Sequence, residues 1–486
     1  MMRNSIFIIL LLSAVSCTTV VKDAQMLEEY PPIYPDYIGV TVPVGIAPLD
    51  FDVKEETAQS VSVTVTAPDG MSVTVATGNG SVRFTRRKWA RLLNAAAGDT
   101  LKVNVSGRMD GKWKTYRPFN IYVSRDEIDY GLCYRLIAPG FESFGNIGIY
   151  QRELSSFREK EIVGINTVNG CFNCHSFRMG DPQYMNLHIR GAHGGTVIRR
   201  GNDIEVFNTK TDSTISSCAY PYWHPSGNYI AYSTNMTRQS FYQGPRNILE
   251  VYDYESDVEV YDIQANRLIR VPQLNAERVW ETFPAFSADG RTLYFCAADG
   301  KLIPQMLEGL RYNIFSVPFD PETGEVGSRI DTLVIPEMFG KSASLPRPSP
   351  DGKFLVYTLI NYGTFPIWHP EAELWMMNLE TGRTRILSEI NSLSAESYHS
   401  WSSNGRWMVF GSRRDDDVYT RAYICHVDEN GICGKPFMLP QRNPEEFYLA
   451  QDRSYNIPEF ITAPIDLNRR QMAGKINSGE RRPFQL

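Results

Sequence analysis

Cys171, Cys174 and His175 stand in the order Cys-x-x-Cys-His, inside residues 168–196 (VNGCFNCHSFRMGDPQYMNLHIRGAHGGT). Two thiols followed at once by an imidazole form the attachment signature of c-type haem. The thiols add to the haem vinyl groups and the histidine reaches the iron. The residues leave other readings open. The pair could close as a disulfide or act as a redox couple, or it could supply part of a zinc site. Zinc would need more ligands, usually a second cysteine pair, and the sequence offers none. One haem c per chain is the expected cofactor, and no catalytic residue is assigned.

Iron takes a sixth ligand unless that position stays open. His188, Met185, Met179 and His193 lie close by in sequence. His188 is favoured, because it ends a strand that could face the motif, and Met185 is the sulfur alternative. Geometry raises an objection. Directly paired hairpin residues have Cβ atoms about 5 Å apart. Two axial histidines need roughly twice that separation, given an Fe–N bond of about 2 Å. His175 would then sit on a loop turned away, which Asn169 and Gly170 permit, or His188 would act from behind the ligand. Arg190, Arg199 and Arg200 are candidates to hold propionates; solvated charge is their ordinary role.

Strands must position this motif. The composition, with 12% aromatic residues, 36 Gly and 29 Pro, favours many short strands joined by turns. Four segments share a pattern: YWHPSGNYIAYS, AFSADGRTLYF, RPSPDGKFLVY and SWSSNGRWMVFGS. Each leads to a turn glycine (Gly227, Gly290, Gly352, Gly405) and then to an alternating strand. The spacings are 63, 62 and 53 residues. A period of that size with strand chemistry reads as propeller blades of four strands. The haem motif aligns with the same pattern. Phe177 takes the place of Trp223, Phe286, Pro348 and Trp401, and Asp181 falls where the glycine would be.

These segments resemble the TolB-like β-propeller family over about residues 130–460. Asn173 to Phe177, His188 and Arg190 also resemble a group of exported lipoproteins labelled cytochrome-c-related. That resemblance implies haem association without fixing an activity. The fold expected is all-β: an immunoglobulin- or fibronectin-like sandwich over 37–127, then a propeller of six, or seven, blades over 128–465. Residues 466–486 read as a C-terminal tail. No Gly-x-Ser-x-Gly sequence occurs, which argues against an appended hydrolase.

The first 16 residues read as a signal peptide, with Arg3, an apolar run over 6–12, and small residues before Cys17. This resembles a lipoprotein signal, with Cys17 as the lipidated residue and 17–36 as a tether. A cell-envelope location follows, on the outer membrane of a Gram-negative bacterium, with the lipid anchor as membrane contact. In that compartment Cys425 and Cys433, flanking a turn, could form a disulfide. The net charge of −6 argues against nucleic acid as a partner. His224, His369, His399 and His426 read as structural, and Asp415 to Asp417 as a solvated turn. Three functions remain: a haem-bearing electron-transfer lipoprotein with an unknown redox or envelope partner, a non-haem envelope binding or scaffold module, and a haem-assisted oxidoreductase.

Overall fold

The computed structural model describes residues 21–139, 146–168, 170–241, 248–269, 271, 274–300 and 307–486. The signal peptide, Cys17 and Asn169 lie outside them. No described helix is long and apolar enough to cross a membrane.

The chain is mostly strand. Residues 25–124 form a seven-stranded mixed sheet and a three-stranded sheet, with the helix Arg86–Ala95 beside them. The repeated valines of Ser60–Thr66 point inward at every second position, as the alternation dictates: Val61, Val63 and Val65 are buried. Trp89, Leu92 and Leu93 bury the helix face, as their spacing predicts. Thr85 is the N-cap residue, but its hydroxyl makes no capping bond. The expected tether is corrected from residue 21 onward. Gln25–Met26 pairs with Lys114 and Thr115, and Ile33–Tyr34 pairs with Val53 and Asp52.

Six further sheets follow among the described residues. The first holds Gly131–Ile137, Gly148–Glu153 and Glu159–Gly164. Its innermost strand, Ser454–Ile461, arrives from the far end of the chain. The innermost strands of the others are Phe172–Arg178, Cys218–Trp223, Val279–Phe286, Ser342–Pro348 and Glu396–Trp401. These six strands adjoin one another in cyclic order, and Ser454–Ile461 touches both Glu396–Trp401 and Phe172–Arg178. Apolar clusters fill the gaps between neighbouring sheets. Trp223 and Tyr232 pack on Phe207, for example, and Phe286 and Phe295 pack on Val258 and Val260.

The four turn glycines occupy equivalent hairpins, with φ of 77°, 72°, 72° and 67° at Gly227, Gly290, Gly352 and Gly405. Each amide donates to the carbonyl three residues back (His224, Ser287, Ser349, Ser402). Only a residue free of Cβ adopts this backbone cheaply. In the haem-motif strand the hairpin is tighter. Arg178 pairs with Asp181, and Met179 and Gly180 make the turn, so Gly180 and not Asp181 plays the glycine's part.

A second repeat lies three residues before each aromatic or proline anchor. Cys174, Tyr220, Phe283, Leu345, Tyr398 and Ile457 all have left-handed φ, between 43° and 54°. At each, two residues of the innermost strand oppose one of its neighbour, which is a β-bulge. The second residue of the bulge is Pro221, Pro284, Pro346 or Pro458 in four copies and His175 or His399 in the other two.

The C-terminal segment is no free tail. Asn468 caps the helix Arg469–Asn477, which buries Met472 and Ile476. Arg482–Pro483 then pairs with Phe207 and Asn208. Asp415 and Asp416 are exposed, as a solvated turn requires, and the Asp415 carboxylate also accepts from the Tyr423 hydroxyl at 2.9 Å.

Candidate functional site

The bulges set which way the motif's side chains face. Cys174 lines a cavity of about 230 Å³ at one end of the ring of innermost strands, with Cys171, Asn173, His188, Arg190 and Arg135. Tyr220 and Tyr398, from equivalent bulge positions, line it too. Two residues further along five of the six strands, Ser176, Tyr222, Arg347, Ser400 and Glu459 line a narrower recess at the opposite end.

His175 faces elsewhere. It is 1% exposed, lies against the backbone of Cys133 and Ile457, and touches Phe177 ring to ring at 6.2 Å. Burial, with Arg135 nearby, lowers its pKa to about 4, so the ring is neutral. Its repeat counterpart His399 is also buried, and shares a hydrogen bond with the Val356 carbonyl at 3.0 Å. Both histidines occupy the site that proline fills in the other copies, in the packing between sheets.

This arrangement does not fit haem c. The His175 ring is enclosed against Cys133 and Ile457, away from the cavity that the Cys174 thiol faces, and so has no open space beside it for an iron. Met185 is buried in the apolar cluster between the first two sheets and pairs with Phe177. Met179 is exposed at the hairpin turn, by the opposite recess. The His193 carbonyl accepts from Arg481. His188 does border the cavity, opposite Asn173, with its Nδ1 3.0 Å from the Thr196 hydroxyl. Burial and Arg190 lower its pKa to about 4. Among the described residues no three His, Cys, Asp or Glu side chains gather closely enough to hold a metal ion.

Of the three candidate arginines, Arg190 alone borders this cavity. Arg199 donates to the carbonyls of Gly201 and Pro182 at 2.8 and 3.1 Å, and Arg200 lies 3.9 Å from Glu205. The remaining histidines brace the fold. His224 Nε2 meets the Gly290 carbonyl at 3.0 Å, and His426 meets Asp126 at 2.6 Å. His369 sits between Glu250 and Glu371 at 3.2 and 3.0 Å. Cys425 and Cys433 are adjacent buried thiols, hydrogen-bonded to each other.

Arg135 and the six-fold bulge register are what the sequence reading missed. A signal existed: Pro221, Pro284, Pro346 and Pro458 each stand two residues before an anchor position. Extending that register to Cys174-His175-Ser176-Phe177 places His175 in the packing layer.

Cys171 is half-buried while every other described cysteine is buried. Burial raises the Cys174 pKa, against the opposing effect of Arg190 and Arg135. Thiolate and access together govern alkylation. A maleimide is therefore expected to label one cysteine of the native protein, Cys171, and none in Cys171→Ser. Peptide mapping checks this, and an unlabelled native chain would show the thiol to be already bonded.

No family model matches the chain, and no curated protein matches it. Among solved structures, TolB from Acinetobacter baumannii aligns with a TM-score of 0.43 at 12% identity, covering 74% of this chain and 79% of that one. An ancestral GH74 enzyme aligns at 0.36 and 10%, covering 69% and 44%. A puromycin hydrolase aligns at 0.35 and 14%, covering 71% and 45%. This chain is thus loosely similar to TolB over most of both lengths, and spans less than half of either enzyme.

Proposed function

We propose that this protein is a non-haem binding module of the cell envelope. In this reading the six sheets are the blades of a TolB-like propeller and Cys17 carries a lipid anchor. The cavity at the Cys174 end of the ring is the ligand site. The divergence of Cys174 and His175 carries the proposal: the bulge sends one toward the cavity and the other into packing. The cyclic order of the innermost strands supports it, since such a ring leaves its axial mouth open to ligands whatever its blades descend from. The Cys171–Cys174 pair then serves as cavity wall and not as haem attachment.

Intact mass of the mature protein, made in a host able to export lipoproteins and to attach haem c, tests this. The expected mass is that of a chain beginning at Cys17 with acyl groups and nothing further. A haem adduct mapped to Cys171 and Cys174 would replace this reading with the haem-bearing one.

A further inference from the structure

The cavity wall carries two guanidinium groups, Arg135 and Arg190, and among its described residues no Asp or Glu. This contrasts with a chain of net charge −6. Arg135 Nη2 donates to the Asn456 side-chain oxygen at 2.7 Å, and Nη1 reaches the Phe172 carbonyl at 3.5 Å. Its Nε is buried without a partner. No carboxylate pairs with Arg135 or Arg190 among the described residues. The nearby acid, Asp253, is held by Asn235 and Thr237, each at 2.8 Å. For Arg135, whose Nε is kept from water without a counter-charge, burial is costly, and a matching anion removes part of the cost. Two arginines in one recess also repel each other, which an anion between them would reverse.

The rest of the wall describes the remainder of the ligand. Leu249, Val251, Phe365, Ile367 and Trp368 make one side apolar. The Asn173 side-chain oxygen is buried and unpaired, and rotating the amide would present its NH₂ group instead. The space, about 230 Å³, is enough for a small organic molecule.

We infer that this cavity binds a small organic anion, with a carboxylate or phosphate head on Arg135 and Arg190 and an apolar body against Trp368 and Phe365. The inference rests on the reading of the cavity as a ligand site and adds the class of ligand. Fork-shaped guanidinium donors match both head groups, so the shared chemistry is a planar or tetrahedral oxyanion.

Calorimetric titration of the full mature chain tests it, with phenyl phosphate and benzoate as anionic probes and benzyl alcohol and benzylamine as neutral and cationic controls. Saturable binding of at least one anion is expected, with the controls bound more weakly. Comparing the two anions shows which head group the site takes. Arg190→Gln, at an exposed position, is expected to weaken the anion by about tenfold. Arg190→Lys should recover part of that loss. Arg135→Gln should weaken it as well, provided its melting curve shows a folded chain. Anion affinity unchanged in Arg190→Gln would overturn the assignment. Binding of a control probe without either anion would also overturn it, while leaving the cavity a binding site. Absence of binding by all four probes would sink both this inference and the ligand-site reading.

Discussion

A chain ending at residue 453 is expected to lose the cooperative fold of the six-sheet array. Residues 454–461 supply the innermost strand of the first sheet and touch the innermost strands on both sides. Without them Gly131–Ile137 becomes an edge with unpaired backbone groups facing the interior. The apolar faces that meet there also lose their cover: Tyr455 is 1% exposed and stacks edge-on with Tyr134, centroids 4.7 Å apart. The same truncation removes Met472, Ile476 and Phe484, all buried in neighbouring clusters. Domains are stable by only about 5–15 kcal/mol, and this loss exceeds such a margin. Near-ultraviolet circular dichroism and a melting curve check it. Retention of a native melting temperature would refute the ring-closing role. As a milder companion, Tyr455→Ala is expected to cost about 3–5 kcal/mol, the range for deleting a large buried aromatic.

The second large effect belongs to His369. Its ring lies 3.2 Å from Glu250 and 3.0 Å from Glu371, and the His369 and Glu250 side chains are 2% and 0% exposed. Burial alone would lower its pKa, but hydrogen bonds and charge from the two glutamates prevail and raise it to about 9. The clamp ties the strand Leu249–Asp262 of the third sheet to the loop before the strand Glu373–Asn378 of the fifth. Removing the cation leaves buried Glu250 uncompensated, so His369→Gln is expected to cost about 3–5 kcal/mol. The pH dependence has a definite sign. A histidine whose folded pKa lies above its ordinary value stabilises fully below about pH 6.5. That stabilisation is lost as pH rises through about 9. Glu371, its pKa lowered to about 2 chiefly by His369 acting against burial, adds stability above the ordinary carboxylate range and loses it on acidification toward about pH 2. Denaturant melts should therefore show the wild-type advantage over His369→Gln shrinking between about pH 6.5 and 9. An advantage constant across that interval would show His369 to be neutral.

Much of the architecture was legible because strand repeats advertise themselves locally. The turn glycines need positive φ wherever they occur, and the strands after them must alternate to be half-buried, so four copies could be aligned by eye. The sixth innermost strand was harder. Asn456-Ile457-Pro458-Glu459-Phe460 has no glycine turn after it, because its neighbouring strand, Gly131–Ile137, lies more than 300 residues earlier. The helix Arg469–Asn477 was hidden by the short span of residues that forms it, and its buried face appears only once the second sheet is there to receive it.

The candidate site divides in the same way. By itself the sequence determined the residue types of the motif, the repeat that contains them and a strand ending at His188 that could face it. Residue type and hydrogen-bond periodicity are local properties. Which side chains share a space was decided by tertiary structure alone. A single left-handed residue at Cys174 separates the thiol from His175. Packing of the first sheet against the second brings Arg135 and Arg190 to one cavity. No acid lines the cavity beside those two charges among the described residues. Adjacency in the chain placed Cys174 next to His175, but the bulge turned one toward the cavity and the other into the packing between sheets.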